Sequence, residues 1–139
     1  MKKILKITLL ATMGILLFSG CQSTSVKPKR FGSVIGLKDE NLKEYKELHA
    51  NTWPGILKNL EQSNIQNYSI YLTKFDDNKY YLFSYFEYVG SDFPADMKKI
   101  GDDPLVKKWW KLTEPMQNPL KNRTKGEHWK NMEEVFHMD

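Results

Sequence analysis

The chain has 139 residues, with 21 lysines and arginines against 17 aspartates and glutamates, three histidines and one cysteine. Residues 1–20 hold Lys2, Lys3 and Lys6 and no acid; without them 18 basic side chains face 17 acidic ones, a balance that gives no reason to invoke nucleic acid. A lone cysteine excludes an internal disulfide, and the roughly 110 residues after the polar N-terminal stretch suffice for one ordinary domain.

The N-terminus, MKKILKITLLATMGILLFSGC, has lysines, then an apolar run from Ile7 to Phe18, then Ser19 and Gly20 before Cys21. The run is short for a membrane span and suits a cleaved signal of residues 1–20. Its end resembles the lipobox of bacterial lipoproteins, with Phe18 where that pattern prefers leucine. The expectation is that Cys21 carries the lipid and anchors the protein in the bacterial cell envelope, outside the cytoplasm. A plain secretory signal with an incidental thiol is the alternative. Residues 21–30, including QSTSVKPKR, suit a flexible tether, which leaves 31–139 as the domain.

Phe31 to Leu37, FGSVIGL, reads as a first strand. From Asp39, a candidate N-cap, to Asn64 the pattern predicts one long amphipathic helix, kinked where Pro54 removes a donor. Asn67 to Lys74, NYSIYLTK, alternates as a second strand, with Tyr68, Ile70 and Leu72 on one face. Asp76, Asp77 and Asn78 turn it into a third strand, Tyr80 to Tyr88, so the pair forms an antiparallel hairpin. Both faces of YYLFSYFEY are apolar or aromatic, which calls for cover on both sides and points to a second copy of the chain. Ser91 to Gly101 and Asp103 to Glu114 read as two helices, the second with Pro104 in its first turn. Gln117 to Lys130 is polar and loop-like, with Trp129 the exception. Glu133 to Met138, EEVFHM, reads as a last strand. The order is β-α-β-β-α-β, an α+β domain with helices on a mostly antiparallel sheet.

Within the long helix Tyr45, His49 and Trp53 are four residues apart and share one stripe with Leu42, Ile56 and Leu60. A phenol, an imidazole and an indole in the middle of an inward stripe suit a polar-tipped cavity for a sugar. An interior histidine with a satisfied hydrogen bond is the other reading. Trp109 and Trp110 point about 100° apart on their helix, so both cannot centre one buried face. Indoles match a sugar's C–H face and hydroxyl rim; one packing in the core and the other in a subunit contact is the alternative. His49, His128 and His137 are far apart in sequence, so no metal site is expected, and no nucleophile or phosphate-loop motif occurs. Any catalysis would then be proton transfer without a cofactor.

EYKELHANTWP from Glu44 to Pro54, NYSIYL from Asn67 to Leu72, WWK from Trp109 to Lys111 and EEVF from Glu133 to Phe136 together resemble the L-rhamnose mutarotase family. The resemblance implies a ferredoxin-like βαββαβ fold paired into a dimeric α+β barrel. It places the family's proton donor at His49, its sugar-contacting tyrosines at Tyr45 and Tyr68, and its tryptophan pair at Trp109 and Trp110. The implied activity is that of an isomerase interconverting α and β anomers of L-rhamnose or a related 6-deoxy sugar by acid/base ring opening, in a homodimer. The group taking the anomeric proton stays open between a water and a substrate-bridged tyrosine. A non-catalytic monosaccharide-binding lipoprotein of the same fold is the alternative. The lipoprotein leader, a longer hairpin turn and a longer loop from Pro119 to Lys130 depart from the family, whose known members are cytoplasmic.

Overall fold

The computed structural model describes residues 27–138, so Cys21 and the leader lie outside the described residues. Strand β1 (Lys29–Leu37) leads through a 3₁₀ turn (Asp39–Asn41) into helices α1 (Leu42–Ala50) and α2 (Pro54–Gln62). The hairpin follows as β2 (Ile65–Lys74) and β3 (Tyr80–Tyr88), then α3 (Phe93–Asp102) and α4 (Pro104–Thr113). A second 3₁₀ turn (Glu114–Met116) leads to β4 (Gln117–Asn118), and β5 (Lys130–Met132) comes last. The strands run β2-β3-β1-β4, with β5 also on β1 and every pairing antiparallel. This is the split β-α-β arrangement of a ferredoxin-like α+β domain.

The single long helix expected from Asp39 to Asn64 is two helices. Proline disfavours helical backbone in the residue before it, and Trp53 is accordingly extended at φ −58, ψ 131. Pro54 then occupies the first turn of α2, where its missing N–H costs nothing. The side chains of Asn51 and Thr52 close α1 by donating to the carbonyls of Glu47 (2.9 Å) and His49 (2.8 Å). Asp39 does not cap α1: it opens the 3₁₀ turn, and no side chain caps either start. The strand β1 begins at Lys29, so Lys29 and Arg30, assigned above to the tether, are strand residues.

The last strand differs most from expectation. Glu133 to Met138 is not strand, and Val135, Phe136 and Met138 are exposed. The edge of β1 is covered instead by two short pieces. Gln117 and Asn118 pair with Leu37 and Gly36, and Lys130 to Met132 pair with Val34 to Gly32. Gly36 has no room for a side chain, because a Cβ there would lie 2.7 Å from the Asn118 carbonyl oxygen. Between Asn118 and Lys130 the chain leaves the sheet, and this excursion carries His128 and Trp129.

By alternation, Phe31, Ser33, Ile35 and Leu37 of β1 face the helices with Tyr68, Ile70 and Leu72 of β2 and Leu82, Ser84, Phe86 and Tyr88 of β3. Two apolar clusters form on this side. One holds Ile56, Ile65, Tyr88, Ile100, Val106 and Trp109; the other holds Ile35, Leu37, Tyr45, Leu82 and Met116. A local register shift between Gln66 and Ser69 bends β2, with Asn67 at a left-handed φ of 50° that asparagine tolerates.

Candidate active site

Helix α1 presents Tyr45 and His49 one turn apart, as the four-residue spacing requires. Their rings stack at 4.0 Å between centroids, and the edge contact of His49 with Trp109 is at 5.3 Å. His49 thus sits where the two core clusters meet. Its Nδ1 lies 2.9 Å from the Tyr45 carbonyl oxygen. A carbonyl only accepts, so Nδ1 carries a proton and Nε2 is the nitrogen left for other partners. Desolvation pulls the His49 pKa below its usual value, and the bond to the Tyr45 carbonyl partly offsets this.

These rings wall a cavity of about 440 Å³ lined by His49, Tyr45, Tyr68, Trp109 and Trp110, within the usual range for a small-molecule site. The five residues to which the family resemblance gives sugar-site roles therefore line one cavity. Trp109 is 7 % exposed and belongs to the core; its neighbour Trp110 is 38 % exposed and stands at the rim. Trp53 does not line this cavity; it backs Trp109 edge-on at 5.2 Å, with Lys108 Nζ 5.5 Å from its ring centre. A second hollow of about 330 Å³ shares His49, Tyr68, Ile70 and Trp109.

Several wall residues escaped the sequence reading. Ser33 and Ser84, opposite each other on β1 and β3, share a 2.6 Å hydroxyl contact on the sheet floor. Gln117, buried at the start of β4, places its amide nitrogen 3.5 Å from Tyr45 Oη and its oxygen 2.7 Å from His128 Nε2. His128, Trp129 and Glu114 complete the wall from the far end of the chain. Only Trp129 had stood out, as an indole in a polar loop. Burial pushes the Tyr45 phenol well above its usual range, with the Gln117 bond opposing, and desolvation also raises Tyr68. Both tyrosines therefore keep their protons near neutrality. Among the described residues no cluster of histidine, cysteine, aspartate or glutamate is arranged to hold a metal ion. No described helix is long and apolar enough to cross a membrane.

An aromatic cavity of small-molecule size with an imidazole in its wall, on a ferredoxin-like sheet, defines this α+β fold. The family model for L-rhamnose mutarotase matches residues 30–138. An L-rhamnose mutarotase of Phocaeicola vulgatus is 35 % identical over 113 residues, covering 80 % of this chain and 99 % of the relative. One from Lactiplantibacillus plantarum is 32 % identical over 110 residues, covering 79 % and 98 %. The crystal structure of L-rhamnose mutarotase from Formosa agariphila shares the fold, with a TM-score of 0.59 at 24 % identity over 80 % of this chain and 99 % of that one. The chain belongs to the L-rhamnose mutarotase family.

Proposed function

We propose that this protein is an aldose mutarotase that interconverts the α and β pyranose anomers of L-rhamnose or a related 6-deoxy sugar. The observation that carries the reading is His49, tied at Nδ1, stacked on Tyr45 and edged by Trp109 in the wall of a sugar-sized cavity. Ring opening needs a proton delivered to the ring oxygen O5 while the O1–H proton leaves and C1–O5 breaks. His49 is the donor to O5 in this scheme. Desolvation makes its imidazolium a stronger acid than a free one, which suits delivery to a weakly basic ether oxygen. Tyr45 and Tyr68 hold sugar hydroxyls with their retained O–H groups, and Trp109 and Trp110 offer flat faces to the C–H side of the ring and its 6-methyl group.

The working form in this proposal is a homodimer joined through the outer face of the sheet. Support comes from Phe83, flanked there by Val34 and Tyr71, and from Tyr71 and Phe75, both exposed on that side. Such an apolar face is suited to a second copy, as the dimeric barrel requires. The leader sequence supports a lipid-anchored location in the cell envelope through Cys21.

Saturation-transfer NMR of anomer exchange, run over a panel of monosaccharides, tests the activity. Exchange of L-rhamnose or another 6-deoxy sugar well above the buffer rate is expected. Saturable binding with exchange at the buffer rate would leave a sugar-binding protein and refute the enzyme.

A further inference from the structure

We infer that His128 is the second acid/base group of this site, the one that takes the anomeric O1 proton while His49 protonates the ring oxygen. The inference rests on the mutarotase reading and deepens it, since ring opening moves two protons and His49 accounts for one.

The other groups of the cavity are poor acceptors. Tyr45 is a buried phenol raised by desolvation, and Tyr68, though its residue is 44 % exposed, is shifted the same way, so both hold their protons. Ser33 and Ser84 are hydroxyls engaged with each other. Glu114 lines the cavity from an exposed position, outside the set of aromatic rings that hold His49. His128 is half-buried beside Trp129 and lines the same cavity as His49.

The two imidazoles are held in the same way. His49 gives its Nδ1 proton to the Tyr45 carbonyl, and His128 Nε2 lies 2.7 Å from Gln117 Oε1, which also only accepts. Each ring therefore has one nitrogen fixed by a protein oxygen and one left to exchange protons, Nε2 in His49 and Nδ1 in His128. Gln117 is buried, and its amide nitrogen faces Tyr45 Oη, so a continuous set of contacts runs from His128 through Gln117 and Tyr45 to His49. A side chain whose tautomer is set by a buried amide is prepared for one direction of proton transfer.

The step balances with one proton shared by the pair. His128 Nδ1 takes the proton from O1–H, the O1 electrons form the carbonyl at C1, C1–O5 breaks, and the His49 imidazolium gives its Nε2 proton to O5. After rotation about C1–C2 the reverse occurs. Neutral His49 takes the proton from the O5 hydroxyl, O5 attacks the other face of C1, and the His128 imidazolium returns its proton to O1. Nothing is consumed and both histidines end as they began.

The test compares wild type, His49→Gln, His128→Gln and His128→Ala by saturation-transfer NMR with L-rhamnose, with sugar affinity followed by quenching of the cavity tryptophans. The expected result is a fall in exchange rate at saturating sugar of about 10²-fold or more for both His128 variants, the usual weight of one acid/base group. Affinity should stay within about threefold in His128→Gln, and added imidazole should restore part of the His128→Ala rate. Exchange by His128→Gln within about twofold of wild type, or a loss carried wholly by affinity, overturns the inference. A wild type no faster than buffer removes the mutarotase reading and this inference together. A fast wild type, slow His49→Gln and fast His128→Gln removes only the role of His128.

Discussion

Adjacent tryptophans on one helix should differ sharply when each is truncated. Trp109 is 7 % exposed and Trp110 38 %, so Trp109 hides about a third more of an indole surface of roughly 250 Å², worth about 2 kcal/mol at ~25 cal/mol per Å². Trp109 also has edge contacts with His49 and Trp53, which together add about 1 to 2 kcal/mol. Trp109→Ala should therefore cost about 3 kcal/mol more than Trp110→Ala, within the range for large-to-small core substitutions. With a urea dependence of about 1.5 kcal/mol/M for a domain of this size, the unfolding midpoints should lie about 2 M apart. Urea titration of the two variants, followed by circular dichroism, is the assay. Trp110→Ala should remain folded yet bind sugar more weakly, having lost one flat wall of the cavity. Midpoints within about 0.5 M of each other would refute the division into one core indole and one rim indole.

Three further outcomes are expected. His49 should titrate below the free-histidine value, with its C2 proton shift in NMR reporting the midpoint. The sign for stability follows: the unfolded chain takes the proton first on acidification, so stability falls as pH drops below about 6.5 toward the folded pKa, and is unaffected by this group above it. His49→Gln should accordingly lose less thermal stability than wild type between neutral pH and about pH 5, and an identical loss would contradict the desolvation argument. Asp103→Ala should cost about 1 to 2 kcal/mol in chemical denaturation, since its carboxylate caps α4 by accepting from the N–H groups of Leu105 and Val106 and also accepts from Asn59. In a double-mutant cycle, Ser33→Ala and Ser84→Ala should each cost about 1 kcal/mol, and together less than the sum, because either change alone strands the other hydroxyl.

Much of the fold could be read from the residues because local and tertiary preferences agree. The hairpin follows from alternation on either side of Asp76 to Asn78, and Asp103-Pro104 starts α4 as a capping pair should. Tyr45 and His49 meet because both lie within one uninterrupted helix. The stripe does not extend to Trp53 in the same way, since Pro54 forces extended backbone before it and begins a new helix. The last strand was misplaced because apolar content pointed to Val135 and Phe136, whereas pairing on β1 is done by the polar Lys130 to Met132. Gln117 and His128 were not legible as site residues. Gln117 reaches the cavity through the register of the two-residue β4 with Leu37, and His128 through the excursion between Asn118 and Lys130, and neither a two-residue strand nor a polar loop gives a sign of where its side chains will lie.

The most direct measurement is the rate of α-to-β exchange of L-rhamnose, by saturation transfer, for wild type and His49→Gln at matched sugar saturation. The account predicts rapid exchange by the wild type and a loss of about 10²-fold or more in the variant, with sugar still bound. Equal rates for the two proteins would contradict it, whatever else the cavity binds.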